Sequence, residues 1–401
     1  MSFQQGLSGL NAAAKNLDAV SNNVSNAGTV GYKGASAQFA DVFAASLAGG
    51  GSGQIGIGVN LSQVKQSFTQ GNITVTNNPL DIAINGGGFF RMSDNGAISF
   101  TRNGQFLVDK DGYVVNSSGA RLTGYAANAA GVIVPSSPTD LMISSADLVP
   151  NATTAGNVGL NLDSRDSVPA AFVHTDPTTY NSSTAMTVYD SLGNSHVMTL
   201  YFRKTAPNAW DMHVGLDGAA PASTTALAFD SSGALTTAMP VTVLSGVDPA
   251  TGAANLTVSL DMTSATQFGS TFGVTSLTQD GYTSGRLAGL SVSSEGIIQG
   301  RYSNGQSRDL GQVVLANFAN PNGLQPLGGN QWSETAASGQ PLVGAPNSGS
   351  LGALQSAAIE ESNIDLTAEL VNMITAQRNY QANAQSIKAQ DAIMQTLVNL
   401  R

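Results

Sequence analysis

The sequence predicts an α+β protein whose N- and C-terminal α-helices pair as a coiled-coil-like core domain, with two mainly β domains nested between them. Three observations carry this reading. Apolar residues recur at alternating steps of four and three at both ends of the chain. Short apolar runs separated by Asn-Gly and Asp-Gly fill the interior. An acidic, Ser/Thr-rich stretch then interrupts that interior. Helices gathered at the ends and strands in the middle describe a fold with segregated parts.

At the N-terminus Phe3, Leu7, Leu10, Ala14, Leu17, Ser21 and Val24 share one helical face. The pattern stops at Asn26-Ala27-Gly28, and Gly28 is the expected helix stop. At the C-terminus Leu366, Leu370, Met373, Gln377, Tyr380, Ala384, Ile387, Asp391, Met394 and Val398 repeat the spacing, with Asp365 as N-cap. Val371, Ile374, Ile393, Leu397 and Leu400 widen that apolar face. At 1.5 Å per residue the C-terminal helix would run about 54 Å and the N-terminal one about 36 Å, so the longer outruns the shorter as a partner. Packing supplies most of the stability of such helices, and neither has a helical neighbour in sequence. One reading is a simple intramolecular coiled coil. The other is that both helices complete themselves against further copies of the chain and stay largely unordered without them. Ala376, Ala382, Ala384, Ala389 and Ala392 would permit close helix approach.

A connecting segment is expected over 30–70. Within it, Gly49-Gly50-Gly51-Ser52-Gly53 is flanked by Phe39, Val42, Phe43, Leu47 and Ile55, a composition suited to a hinge. Strands follow at Asp81–Ile84 and Gly88–Met92, then Asn95-Gly96 turns into Ile98–Thr101. Gln105–Val108 turns at Asp111-Gly112 into Tyr113–Val115. Such dipeptides between apolar runs are strong hairpin signals. Later strands are expected at Ala185–Tyr189, His196–Phe202 and Val313–Ala316. Residues 146–284 hold 11 acidic and 3 basic side chains against 15 and 13 in the remainder, which sets them apart as an outer β domain. The inner β domain is then 71–145 with 285–357, and the helical assembly domain 1–29 with 358–401. The alternative is one large β domain with an uneven surface.

Composition narrows the function. A net charge of −10 lacks the basic footprint of a nucleic-acid binder. No cysteine is present, which removes disulfides and thiolate chemistry. No apolar run approaches the ~18 residues of a membrane span. Met1-Ser2-Phe3-Gln4-Gln5 lacks the opening of a cleaved signal. Gly51-Ser52-Gly53-Gln54-Ile55-Gly56 fits G-x-G-x-x-G, but no strand precedes it and no helix follows. Asp109-Lys110-Asp111-Gly112 starts like a calcium loop without its later ligands and is better read as a hairpin turn. His174, His196 and His213 lack zinc-motif spacing, and no G-x-S-x-G elbow is present. Glu360-Glu361, just ahead of the last helix, are expected to face solvent. No catalytic, metal or cofactor constellation emerges, and the reading is of a protein that is not an enzyme.

Asn22-Asn23-Val24-Ser25-Asn26-Ala27-Gly28-Thr29-Val30-Gly31-Tyr32-Lys33 resembles the N-terminal signature of the bacterial flagellar rod and hook axial protein family. The resemblance continues in Leu80–Ile84 with Gly88-Phe89-Phe90, in Thr101–Phe106, in Leu122–Tyr125, in Gly311–Asn320, and in Glu369–Ile374 with Gln377-Arg378-Asn379-Tyr380-Gln381-Ala382-Asn383. It spans nearly the whole chain. The motif positions it marks are Asn22, Asn23, Asn26, Gly31, Lys33, Gly88, Phe89, Phe90, Arg378, Asn379 and Tyr380. The large inserted segment makes the chain similar to the hook branch of that family, because rod members are shorter. The resemblance implies a self-assembling subunit of a curved, flexible tube, a universal joint carrying motor torque from rod to filament. It implies other copies of the chain, a distal rod protein, a hook cap, hook–filament junction proteins and the flagellar type III export apparatus as partners. It implies an extracellular place in the hook and basal body, reached without a cleaved signal. On this view Phe3, Leu7, Leu10, Ala14, Leu17, Val24, Leu366, Leu370, Met373, Tyr380, Ala384, Ile387, Met394 and Val398 are the assembly residues. The other readings are a distal rod or junction protein, a secreted β-rich surface-binding module, or a polysaccharide enzyme, which would have only Trp210 and Trp332 as large stacking platforms.

Overall fold

A computed structural model describes residues 3–42, 56–128 and 131–399, with side chains described as far as 396. The Gly49–Gly53 stretch with Phe43, Leu47 and Ile55, and the side chains of Leu397, Val398 and Leu400, lie outside the described residues. The fold is α+β: two long helices, α1 (Phe3–Ser25) and α2 (Leu366–Asn399), and many short strands between them. The chain forms two compact units. One comprises 1–144, 290–300 and 308–401, and the other 145–289 and 301–307.

In the first unit, Ala35–Val42 and Gly58–Gln66 form a two-stranded antiparallel ribbon beside α1. The main sheet runs Arg121–Ala126, Phe89–Asp94, Ala97–Thr101, Gln331–Ser333, Gln325–Gly328, with Ser307–Val313 joined to the first of these. Asn95 (φ 49°) and Gly96 (φ 93°) form the two-residue turn of the first hairpin, whose twist needs positive φ at both positions. Phe68, Phe89, Phe318 and Trp332 pack edge to face with centroids 5.5–5.9 Å apart, and Phe90 meets Phe106 at 5.1 Å. Chain returning from the second half then pairs with chain leaving the first. Ala353–Ser356 lies antiparallel to Ile82–Asn85, and Ala358–Glu360 to Ile73–Val75 with Glu360 opposite Ile73.

The second unit has two sheets around one core. Ser182–Tyr189, Ser195–Ala206, Ala209–Leu216 and Ser223–Ala228 make an antiparallel meander. In the other sheet Ala155–Asp163 runs parallel to Leu256–Asp261 and Thr266–Phe268 and antiparallel to Gly273–Gln279. Phe202, Trp210 and Met212 of the first sheet meet Leu160, Val258 and Leu260 of the second in one buried cluster. Alternate residues of Ser195–Ala206 point inward, as the period of a strand with one covered face requires.

Candidate assembly surface

Asp365 caps α2, its Oδ1 accepting from the backbone N–H of Thr367 at 2.9 Å and of Ala368 at 3.2 Å. The end of α1 departs from expectation. The helix stops at Ser25, and the left-handed residue is Gly31 (φ 70°) rather than Gly28. The Asn26 amide donates to the Asn22 carbonyl and side chain, both at 3.0 Å, and closes the last turn. Gly31 then bends the chain back, with its N–H donating to the Glu360 carbonyl at 2.8 Å. A Cβ on Gly31 would lie 2.6 Å from the Asn103 nitrogen, so only glycine passes there.

The helices lie antiparallel: Gly6 lies against Ile387 and Gly9 against Asn383, while Asn23 donates to Glu369 Oε1 at 2.9 Å. The faces that meet overlap the predicted apolar stripes only at their edge, where Ile387 packs over Gly6. The buried residues of α1 are Gly6, Ala13, Val20 and Asn23, roughly a quarter-turn round from Phe3, Leu7, Leu10, Leu17 and Val24. On α2 only Ala376 is buried among the residues whose side chains are described. Small side chains let the backbones approach with Val20 and Ile387 beside them, and most of the other large apolar side chains stay partly or wholly uncovered. Phe3, Leu7, Leu366, Leu370, Tyr380 and Met394 are exposed, as are Val371, Ile374 and Ile393. Leu10, Ala14, Leu17, Val24, Met373, Ala384 and Ile387 are half-buried. Clefts of about 280 and 420 Å³ remain beside the pair, the first lined by Asn16, Val20, Glu369 and Asn372, the second by Phe39, Val59 and Asn379. The exposed large apolar side chains of both helices are left uncovered in the subunit.

The motif residues divide into two groups. Asn23, Gly31, Lys33, Gly88, Phe89 and Phe90 are internal. The buried Asn23 side chain accepts from the Ala35 N–H at 2.9 Å and the Tyr32 hydroxyl at 3.2 Å and donates to the Ala35 carbonyl at 2.8 Å, pinning α1 to the ribbon. Arg378, Asn379 and Tyr380 are exposed on α2, Asn379 lining the larger cleft beside α1, Asn22 is exposed on α1, and Asn26 is half-buried.

Glu360 is the main correction to the sequence reading. It is buried, not solvent-facing, because Ala358–Glu360 is a strand that places it beneath the helix roots. Its Oε1 accepts from Lys33 Nζ at 2.6 Å and the Gly71 N–H at 2.9 Å, and its Oε2 from Arg102 Nη1 at 3.1 Å. Lys33 also donates to the Thr69 carbonyl, and Arg102 to that of Gly86, each at 2.8 Å. Burial pushes the pKa values of both cations down, and the Glu360 carboxylate opposes the shift. Charged residues make up only 10% of the chain, so Lys33 and Arg102 standing alone inside uncharged motif segments were the available signal.

Among the described residues no cluster of three or more metal-ligating side chains is found. His196 opens its strand as expected and is buried between Asp217, 2.6 Å from Nδ1, and Asp190, 3.4 Å from Nε2. Asp190 in turn holds the turn that follows its strand, accepting from the N–H groups of Leu192 and Asn194. Both ring nitrogens are occupied, which suits a structural clasp. No described helix is long and apolar enough to cross a membrane.

The chain is similar to flagellar axial proteins along its length. Residues 3–33 match the model of the flagella basal body rod protein family, and 83–149 that of the flagellar hook protein FlgE/F/G D1 domain. Residues 161–282 match the flagellar basal body protein FlaE D2 domain, and 355–400 the flagellar basal body rod FlgEFG protein C-terminal model. The flagellar hook protein FlgE of Salmonella typhimurium is 43% identical over 411 residues, covering all of both chains. That of Escherichia coli K12 is 40% identical over 415 residues, again covering both fully. That of Borreliella burgdorferi is 32% identical over 442 residues, covering all of this chain and 99% of its own. The crystal structure of Helicobacter pylori flagellar hook protein FlgE2 superposes with a TM-score of 0.54 at 14% identity, over 72% of this chain and 99% of that one, which shows a shared fold.

Proposed function

The chain belongs to the flagellar hook protein family and is a structural, non-enzymatic subunit of the flagellar hook, and from that premise we propose that it polymerises through the uncovered faces of α1 and α2. The observation that supports this reading is the mismatch on the helices. Gly6, Ala13 and Ala376, with Ile387 over Gly6, serve the contact within the subunit, and most of the large apolar residues of the heptad stripes are left over for other copies. A monomer with so much exposed apolar helix is an unfinished structure. On this reading α1 and α2 act as a coiled-coil-like core domain that lines a curved tube, with an inner β domain (71–145 and 285–357) and an outer one (146–284) nested between them in sequence. The helices supply cohesion, and the β domains supply stiffness against twist.

The same reading takes the distal rod protein, the hook cap, the hook–filament junction proteins and the type III export apparatus as partners, and places the working polymer outside the cell. The rod, junction and surface-module readings are not favoured by relatives that match end to end. The test is sedimentation and electron microscopy of the full chain beside a Leu10→Ser/Leu17→Ser variant. Curved tubes from the first and soluble, folded monomers from the second support the proposal. Tubes from both at the same protein concentration refute it.

A further inference from the structure

Three stretches of chain converge on the carboxylate of a fourth at the base of the helix pair. Lys33 lies 8 residues beyond the end of α1 and Glu360 lies 6 before the start of α2, so the ion pair at 2.6 Å joins the two roots directly. The Gly71 N–H and Arg102 bring in the β part of the same unit, Arg102 also holding the Gly86 carbonyl. The approach needs glycine at Gly71, where the clash would be with backbone, and is eased by it at Gly34. A Cβ at Gly71 would lie 2.0 Å from the Glu361 carbonyl oxygen, and one at Gly34 would lie 2.4 Å from Ile364 Cδ1.

Stability alone does not account for this group. Its three charges are almost wholly buried, and two cations share one anion. Buried ion pairs of this kind are often no more stabilising than apolar residues of the same volume, because desolvation consumes the Coulombic gain. The second cation makes that balance worse. What such a group supplies is a fixed direction and register, since a hydrogen-bonded charge that slips by a residue is left buried and unpaired. We propose that the Lys33–Glu360 pair, anchored by Arg102, is a clamp that holds the helix roots at one orientation on the β part of their unit, and that ordered polymerisation depends on it. The clamp deepens the proposed assembly reading and rests on it. Torque entering through the helices would pass to the strands through these bonds.

Lys33→Met is the variant that separates clamp from core. It keeps an apolar stem, leaves Arg102 and Glu360 as a one-to-one pair with the Gly71 N–H still bonded, and leaves the Thr69 carbonyl its bond from Asn363 Nδ2 at 3.3 Å. Three readouts are taken on the full chain. Thermal unfolding followed at Trp332, in a Trp210→Phe background, is expected to stay within about 4 °C of the parent. Hydrogen exchange at the Gly31, Gly34 and Ala35 amides is expected to quicken at least about tenfold, because the root opens locally. The critical concentration for polymer is expected to rise by about tenfold, with irregular polymer shape. Unchanged exchange overturns the clamp, as do normal polymers at the normal concentration. A collapse of the Trp332 transition also overturns it, because the pair would then be core stability only. If neither parent nor variant polymerises, the assembly reading fails, and the exchange measurement alone decides the clamp.

Discussion

Val371→Ser with Ile374→Ser tests whether the leftover apolar face of α2 is an interface. In the subunit these side chains are 58% and 51% exposed, and neither lies on the face turned to α1. Burying a Val or Ile side chain completely contributes about 1.5–3 kcal/mol, so covering the remaining half of each is worth about 1 kcal/mol apiece. Losing both removes about 2 kcal/mol per subunit from the polymer, which corresponds to a critical concentration about 30-fold higher. Ser, Val and Ile have similar helix propensities, so the monomer should keep its helicity and its melting temperature. The assay is pelleting across a concentration series, with circular dichroism of the monomer alongside. An unchanged critical concentration would refute the reasoning. A rise that accompanies loss of helix would refute it too, because the two side chains would then be serving the subunit itself.

Three further outcomes follow from buried groups. Glu360→Gln leaves Lys33 and Arg102 facing a neutral amide and should destabilise the first unit by about 3–5 kcal/mol, read as a fall on the order of 10 °C in the Trp332 transition. Gly31→Ala forces a left-handed Ala and a Cβ 2.6 Å from backbone, and should cost about 1–2 kcal/mol from φ alone, measured in the same melt. Burial works against a charge on His196, but its hydrogen bonds to Asp217 and Asp190 outweigh it and raise the pKa above the ordinary 6.5. The clasp's contribution is therefore complete below about pH 6.5 and disappears as pH rises through the higher folded value. Unfolding of the second unit, followed at Trp210 in a Trp332→Phe background, should ease as pH rises above that point, and His196→Gln should flatten the dependence.

Much of the architecture could be read in the sequence because it rests on local rules. The four-three spacing locates both helices, Asp365 caps α2, and Asn95-Gly96 makes its hairpin. The facing sides of the helices were not legible, for a physical reason. Periodicity finds the stripe with the largest apolar side chains, and here most of that stripe is left uncovered in the subunit. The contact inside uses Gly6, Gly9, Ala13 and Ala376, whose value lies in what they lack. Gly28 looked like a helix stop because glycine commonly is one. The side chain of Asn26 closes the helix instead, and the bend falls at Gly31. Glu360 was misread because its partners lie 327 and 258 residues away in the chain. Two adjacent glutamates before a helix carry no local mark of burial. Only the pairing of Ala358–Glu360 with Ile73–Val75 puts that carboxylate inside.

The most direct test of the account is a helical reconstruction by electron microscopy of polymer grown from the full chain, at a resolution that shows side chains. In that polymer α1 and α2 are expected innermost, with Leu366, Leu370 and Ile374 buried against a second copy and the antiparallel α1–α2 contact kept within each subunit. Helices on the outer surface, or those three residues in contact with solvent in the polymer, would contradict it.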